Sequence, residues 1–143
     1  MDGLIWVVDS ADRDRLRESH TELMNLLQCD LIRGQIPILL FANKQDTKHA
    51  LHPSDVARFL EFHRISTKET SDFKVEKTSK FPMFPTSLEL LGEVISNFHE
   101  SIHLRWGRKQ TFVYGSSAIS GEGLNEGLTE FGEAVKEYVE TKT

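Results

Sequence analysis

The sequence of 143 residues has one cysteine, Cys29, and only four prolines. A lone thiol cannot close an internal disulfide, which excludes a disulfide-stapled scaffold and points to a reducing compartment. A cationic surplus is missing too. Seventeen Lys and Arg face 22 Asp and Glu, for a formal net charge of −5, and the basic residues are scattered. There is thus no electrostatic footprint for nucleic acid or for an anionic membrane surface. No apolar run approaches the roughly 20 residues of a bilayer-spanning helix. Met1-Asp2-Gly3 has neither a signal-peptide pattern nor the Gly at position two that myristoylation requires. These absences predict a soluble, cytoplasmic protein with no membrane anchor and no nucleic-acid partner. Repeats and low-complexity tracts are lacking as well. What remains, 38% hydrophobic and 27% charged residues, suits a single globular domain with a sizeable core.

Two uninterrupted apolar runs read as buried strands of parallel type, Leu4–Val8 and Ile38–Ala42, the second introduced by Pro37. Between them, Asp12 is placed to cap a helix from Arg13 to about Cys29 with Leu16, Leu23, Met24 and Leu27 on one stripe. Strand, helix, strand in that order is a βαβ unit and implies parallel pairing. A second helix, opened by Pro53, is expected to run to about His63 and to bury Val56, Phe59 and Leu60. Thr111–Gly115 reads as the third strand. A glycine-bearing loop, 116–124, leads from it into a last helix, about Leu124 to Glu140, with Leu124, Leu128, Phe131, Val135 and Tyr138 inward. The fold class is α/β, with three parallel core strands and helices.

The chemistry concentrates in Asn43-Lys44-Gln45-Asp46, just past the carboxyl end of the second strand. In open α/β sheets ligands bind at that end. An ionised Asp46 offers two oxygens to the adjacent donors of guanine, the ring N1–H and the exocyclic amine. Adenine has no such donor pair, and an unpaired buried acceptor costs roughly 1–3 kcal/mol, which makes the arrangement selective. The Asn43 amide can donate to the base N7 or hold the loop. Lys44 can lay its methylene stem along the purine face with its ammonium in water. The plainer interpretation is a polar turn in which Asp46 caps the next helix.

Residues 2–13, Asp2 through Arg13, resemble the fourth strand and following turn of the Arf-like (ADP-ribosylation-factor-like) small GTPases. Leu40 through Asp46 resemble their base-specificity motif, and Ser117-Ala118-Ile119-Ser120-Gly121-Glu122-Gly123-Leu124 their final nucleotide loop. Trp6 and the Ser117-Ala118 pair are most similar to the Arf-like 2 type. The likeness covers residues 2 to about 65 and about 103 to 140, three motifs in order at three strand ends. It implies GTP or GDP as ligand and effector or regulator proteins as partners. It also implies that Asn43, Lys44 and Asp46 contact guanine, with the Ala118 amide donating to guanine O6.

The sequence departs from that family pattern on its phosphate side. It contains no Gly-x-x-x-x-Gly-Lys-Ser/Thr, no Asp-x-x-Gly and no preceding switch threonine. A phosphate loop, magnesium site and catalytic glutamine are therefore not expected, and no catalytic or metal residue is assigned. Two charge-assisted hydrogen bonds, a neutral one and some stacking give a gross gain of roughly 4–6 kcal/mol. That corresponds to a dissociation constant on the order of 0.1–1 mM, base recognition without turnover. Within the family pattern Leu4–Val8 lies mid-sheet. In this chain it is expected to form an edge, apolar on both faces, open to homodimerisation, to a missing half or to a covering insert. A truncated gene product or gene model is a further explanation, in which an omitted N-terminal half would complete an ordinary GTPase switch.

The stretch from Ser66 to about Ser101 has no counterpart in the family pattern. It holds Phe73 and Val75 alternating with charge, a Pro82-to-Pro85 motif, and a Thr86/Glu89 capping box. The box opens a helix striped with Leu88, Leu91, Ile95, Phe98 and Ile102, which suggests core packing or, in a nucleotide-independent pseudo-GTPase, a partner surface. His99-Glu100-Ser101-Ile102-His103 satisfies the H-E-x-x-H pattern of zinc peptidases, with Glu100 as general base. No third ligand motif follows it, so it stands as a remote alternative.

Overall fold

A computed structural model describes residues 1–32, 34–66 and 109–143. Among the described residues three strands form one parallel sheet in the order β1 (Leu4–Asp9), β2 (Ile38–Asn43), β3 (Thr111–Gly115). Helices α1 (Arg13–Leu27), α2 (Pro53–Phe59), α3 (Phe62–Ile65) and α4 (Leu124–Lys142) flank it. Register pairs Leu4 with Ile38 and Asp9 with Asn43, then Ile38 with Thr111 and Ala42 with Gly115.

β2 is apolar throughout because it is covered on both faces. Ile38, Leu40 and Ala42 join Leu16, Leu23, Met24 and Leu27 of α1 and Val56 of α2 in the larger core. Leu39 and Phe41 point the other way, to Phe112 and to Phe131 and Ala134 of α4. The alternation of a pleated strand thus supplies two cores from one run. The α1 stripe read from the sequence is fully buried, and Asp12 caps that helix by accepting the Arg15 amide. The helix ends at Leu27, and Gln28 closes it.

Three expectations need correction. The helix opened by Pro53 does not run on to His63. It closes at Leu60, and Glu61 takes a left-handed φ of 57° before the short α3. Glu61 is held there by His20 at 3.1 Å and Arg64 at 3.6 Å, and the break lets Phe62 and Ile65 enter the core beside Leu60. Phe59 is only half-buried. In α4, Leu128 is 46% exposed, not inward. Phe131 is buried as expected, and Leu124, Val135 and Tyr138 pack against the cores, but the place expected for Leu128 is taken by Gly127, with Ala134 also buried. A Cβ on Gly127 would come 2.6 Å from the Phe41 ring, so the helix seats there only as glycine. Third, β1 is an edge among the described residues and apolar on both faces as expected, but one of those faces is covered. Val8 is buried, and the Trp6 indole donates to Ser19 of α1 at 3.0 Å. Ile5 and Val7, 42% and 62% exposed, line the face that α4 leaves uncovered.

The ends of the long connection between α3 and β3 meet. Lys109 donates its amide to Ile65 at 2.7 Å and forms a parallel bridge with Ser66, and Thr111 Oγ1 donates to Ser66 Oγ at 2.6 Å. The Phe73/Val75 alternation, the Pro82–Pro85 motif, the Thr86 capping box, the Ser87–His103 helix and the His99/Glu100/His103 pattern lie outside the described residues. Among the described residues no helix is long and apolar enough to cross a membrane.

Lys109 is 2% exposed, and its ammonium donates to the carbonyls of Ile32 and Gly34 at 2.7 and 2.6 Å. It ties the α1–β2 connection to the start of β3. Burial pushes its pKa down to about 8. Lys109→Met strands both carbonyls and is expected to lower stability by roughly 1–3 kcal/mol in urea denaturation. Between about 8 and 10.5 the unfolded chain retains the proton that folded Lys109 has released. The Lys109 contribution to stability therefore climbs with pH across that window, and Lys109→Met removes that part of the slope.

Candidate functional site

Past the carboxyl ends of the strands the chain is polar, and its loops are stitched together by side chains. Asn43 is the last residue of β2. Its Oδ1 accepts the Ala118 amide at 3.1 Å and the Ser116 hydroxyl at 3.3 Å. Because an amide N–H can only donate, that contact fixes which way the Asn43 side chain faces. Its Nδ2 has no hydrogen-bond partner among the described residues.

Asp46 stands on the exposed turn beyond it. Its Oδ1 accepts the Ser117 hydroxyl at 2.9 Å, which leaves Oδ2 without a protein partner among the described residues. Ser117 is buried and also accepts the Ser120 amide. Asp46 does not cap α2. His52 does so, its Nδ1 accepting the Ser54 amide at 3.2 Å, with Pro53 in the first turn.

Gln45 points inward. Its side-chain amide donates to Ser10 Oγ at 3.1 Å and to the Leu51 carbonyl at 2.8 Å, while its backbone amide donates to Ser116. It braces the turn against the ends of β1 and β3. Lys44 adopts a left-handed φ of 64° and reaches back to the end of β1, its ammonium 2.6 Å from Asp9 Oδ2. That hydrogen bond, with help from the Ala11 amide and against desolvation, holds the Asp9 carboxyl below its usual range. The same contact raises Lys44, so both stay charged across the physiological range.

The six residues singled out from the sequence, Asn43, Lys44, Gln45, Asp46, Ser117 and Ala118, thus lie in one cluster. Ser116, Ser10 and Asp9 belong to it as well and were not singled out. Parallel register is the signal that could have found Asp9, since Asp9 pairs directly with Asn43. Among the described residues no group of His, Cys, Asp or Glu side chains is arranged to hold a metal ion.

The sequence profile of the ADP-ribosylation factor family matches residues 1–135. The chain belongs to the ADP-ribosylation factor (Arf) family. This Arf-family chain is 48% identical over 64 residues to ADP-ribosylation factor-like protein 3 of Chlamydomonas reinhardtii, across 45% of the chain and 36% of that protein. It is 39% identical over 72 residues to ADP-ribosylation factor 3 of Arabidopsis thaliana, across 50% of the chain and 39% of that protein. The matches span well under half the length of these relatives. Among solved structures it is similar to the Arl6 BBS3 small GTPase from Trypanosoma brucei with bound nucleotide analogue GppNp. The TM-score is 0.60 at 22% identity, covering 96% of this chain and 60% of that one. The fold of the Arf-family chain is accordingly α/β of the P-loop-GTPase kind, with a three-stranded parallel sheet among the described residues.

Two glycines of the loop before α4 separate backbone conformation from space. Gly121 and Gly123 both have φ of +78°, but a Cβ on Gly121 meets nothing, whereas one on Gly123 would lie 2.0 Å from the Gly115 carbonyl oxygen. Gly121→Ala is expected to cost roughly 1–2 kcal/mol, the left-handed penalty alone. Gly123→Ala should cost clearly more, because main chain must move as well. Urea midpoints of the two variants check the order.

Proposed function

We propose that this chain recognises the guanine base of GTP or GDP with the loops that follow β2 and β3. One observation carries the proposal: Asn43 and Asp46 are hydrogen-bonded across the sheet ends to Ala118 and Ser117, residues more than seventy positions away. A polar turn of no function needs no such cross-link. The pairing leaves Asp46 Oδ2 for the guanine N1–H and amine, Asn43 Nδ2 for N7, and the Ala118 amide to be shared with O6. Because Ala118 and Asp46 Oδ1 are already engaged, the bound base competes for part of its own hydrogen bonding. That supports affinity in the submillimolar to millimolar range.

The function is guanine-nucleotide recognition as one Arf-type domain, without hydrolysis by these residues. The 143 residues contain no Gly-x-x-x-x-Gly-Lys-Ser/Thr and no Asp-x-x-Gly from which a phosphate cradle and magnesium site would be built. A second reading, protein association without nucleotide, is favoured by the exposure of Ile5 and Val7 on edge strand β1. That face fits effector or regulator proteins, or a second copy of the chain.

Titration with guanosine, adenosine and GDP, followed by amide chemical shifts, tests the proposal. Guanosine should bind with a dissociation constant on the order of 0.1–1 mM, GDP about as well, and adenosine not measurably. Asp46→Ala should abolish the preference for guanosine over adenosine. Equal binding of the two nucleosides by the unmodified chain would refute base recognition, and a dissociation constant for GDP below micromolar would refute its restriction to the base.

A further inference from the structure

The pair between Lys44 and Asp9 has a geometry that base chemistry alone does not require. Lys44 is turned by its left-handed φ, and its carbonyl is pinned by the amide and hydroxyl of Thr47 at 3.1 and 2.8 Å. Its ammonium is pinned at the other end by Asp9, 2.6 Å away. Asp9 is itself fixed, since its Oδ1 accepts the Ala11 amide at 2.9 Å. The four methylenes of Lys44 are therefore stretched between the end of β2 and the end of β1, with both ends anchored. A lysine stem is otherwise among the side chains with most rotamer freedom to lose.

We infer that Asp9 is a positioning residue for the purine: by holding the Lys44 ammonium it fixes the lysine stem as one wall of the base site. This rests on the guanine reading proposed above and adds to it a residue that never touches the ligand. Asp9 acts before binding, by removing rotamer freedom that the base would otherwise have to freeze out. The pair is partly open to water, with side chains 54% and 36% exposed, so salt can reach and weaken it.

Guanosine is the probe, because it carries no charge and any salt dependence of its binding must arise within the protein. The unmodified chain, Asp9→Asn, Lys44→Met and the double variant are titrated at low and high salt, with thermal melting as a check on folding. Asn at position 9 can still accept the Ala11 amide, and Met at position 44 keeps an apolar stem without the charge. Each single variant should bind guanosine roughly two- to fivefold more weakly, the range of a partly exposed ion pair. The double variant should be no weaker than Lys44→Met, since two residues acting through one contact are not additive. Affinity of the unmodified chain should fall as salt rises, and that dependence should vanish in all three variants. Unchanged binding by Asp9→Asn, additive losses in the double variant, or salt dependence that survives in the variants would overturn the inference while leaving guanine preference and its loss in Asp46→Ala intact. Absence of any guanosine preference in the unmodified chain would instead overturn the base reading and the positioning role with it.

Discussion

Burial of β2 on both faces and along both edges is the constraint on which the molecule depends. Ile38 to Ala42 are enclosed by α1 and α2 on one side and α4 on the other, with β1 and β3 pairing alongside. A strand so enclosed has no alternative register, because a slip of one residue would exchange the side chains of the two cores. The position of Asn43 at its end follows from that rigidity. The site residues are placed by a strand that cannot shift, not by the turn in which they sit.

The loops beyond the strands are organised by side-chain hydrogen bonds and not by regular structure. Asn43 holds the loop after β3, Gln45 holds the end of β1 and the approach to α2, and Ser117 orients Asp46. All but the Gln45–Leu51 contact join segments distant in sequence. Networks of this kind are worth most when every member is satisfied, and here the buried hydroxyls of Ser10 and Ser117 both have partners. Asn43 thereby has its oxygen committed to the loop, while its nitrogen has no hydrogen-bond partner among the described residues.

The three strands and the α1 stripe were legible from the sequence because continuous apolar runs and helical periodicity have few other interpretations. That Asn43, Lys44, Asp46, Ser117 and Ala118 belong together was legible from their chemistry and from the family resemblance. What was not legible depended on tertiary fit. The break at Glu61 carries no glycine or proline signal. It exists because Phe62 has room in the core and because His20, far away on α1, receives the Glu61 carboxylate. The exposure of Leu128 depends on Gly127 meeting the Phe41 ring, which hydrophobic periodicity counts as a blank. Asp9 looked like the polar end of a strand, and only parallel register with Asn43 brings it under Lys44.

The meeting of Ser66 with Lys109 gives the sheet a closed doorway. Polypeptide leaves and re-enters at neighbouring points, and the frame on either side is already latched by Thr111 and by the ammonium of Lys109. Sequence can therefore be gained, lost or exchanged beyond that doorway while the nine or so residues at the far, carboxyl end of the strands keep their places, so this is the point at which a lineage could vary the domain most cheaply.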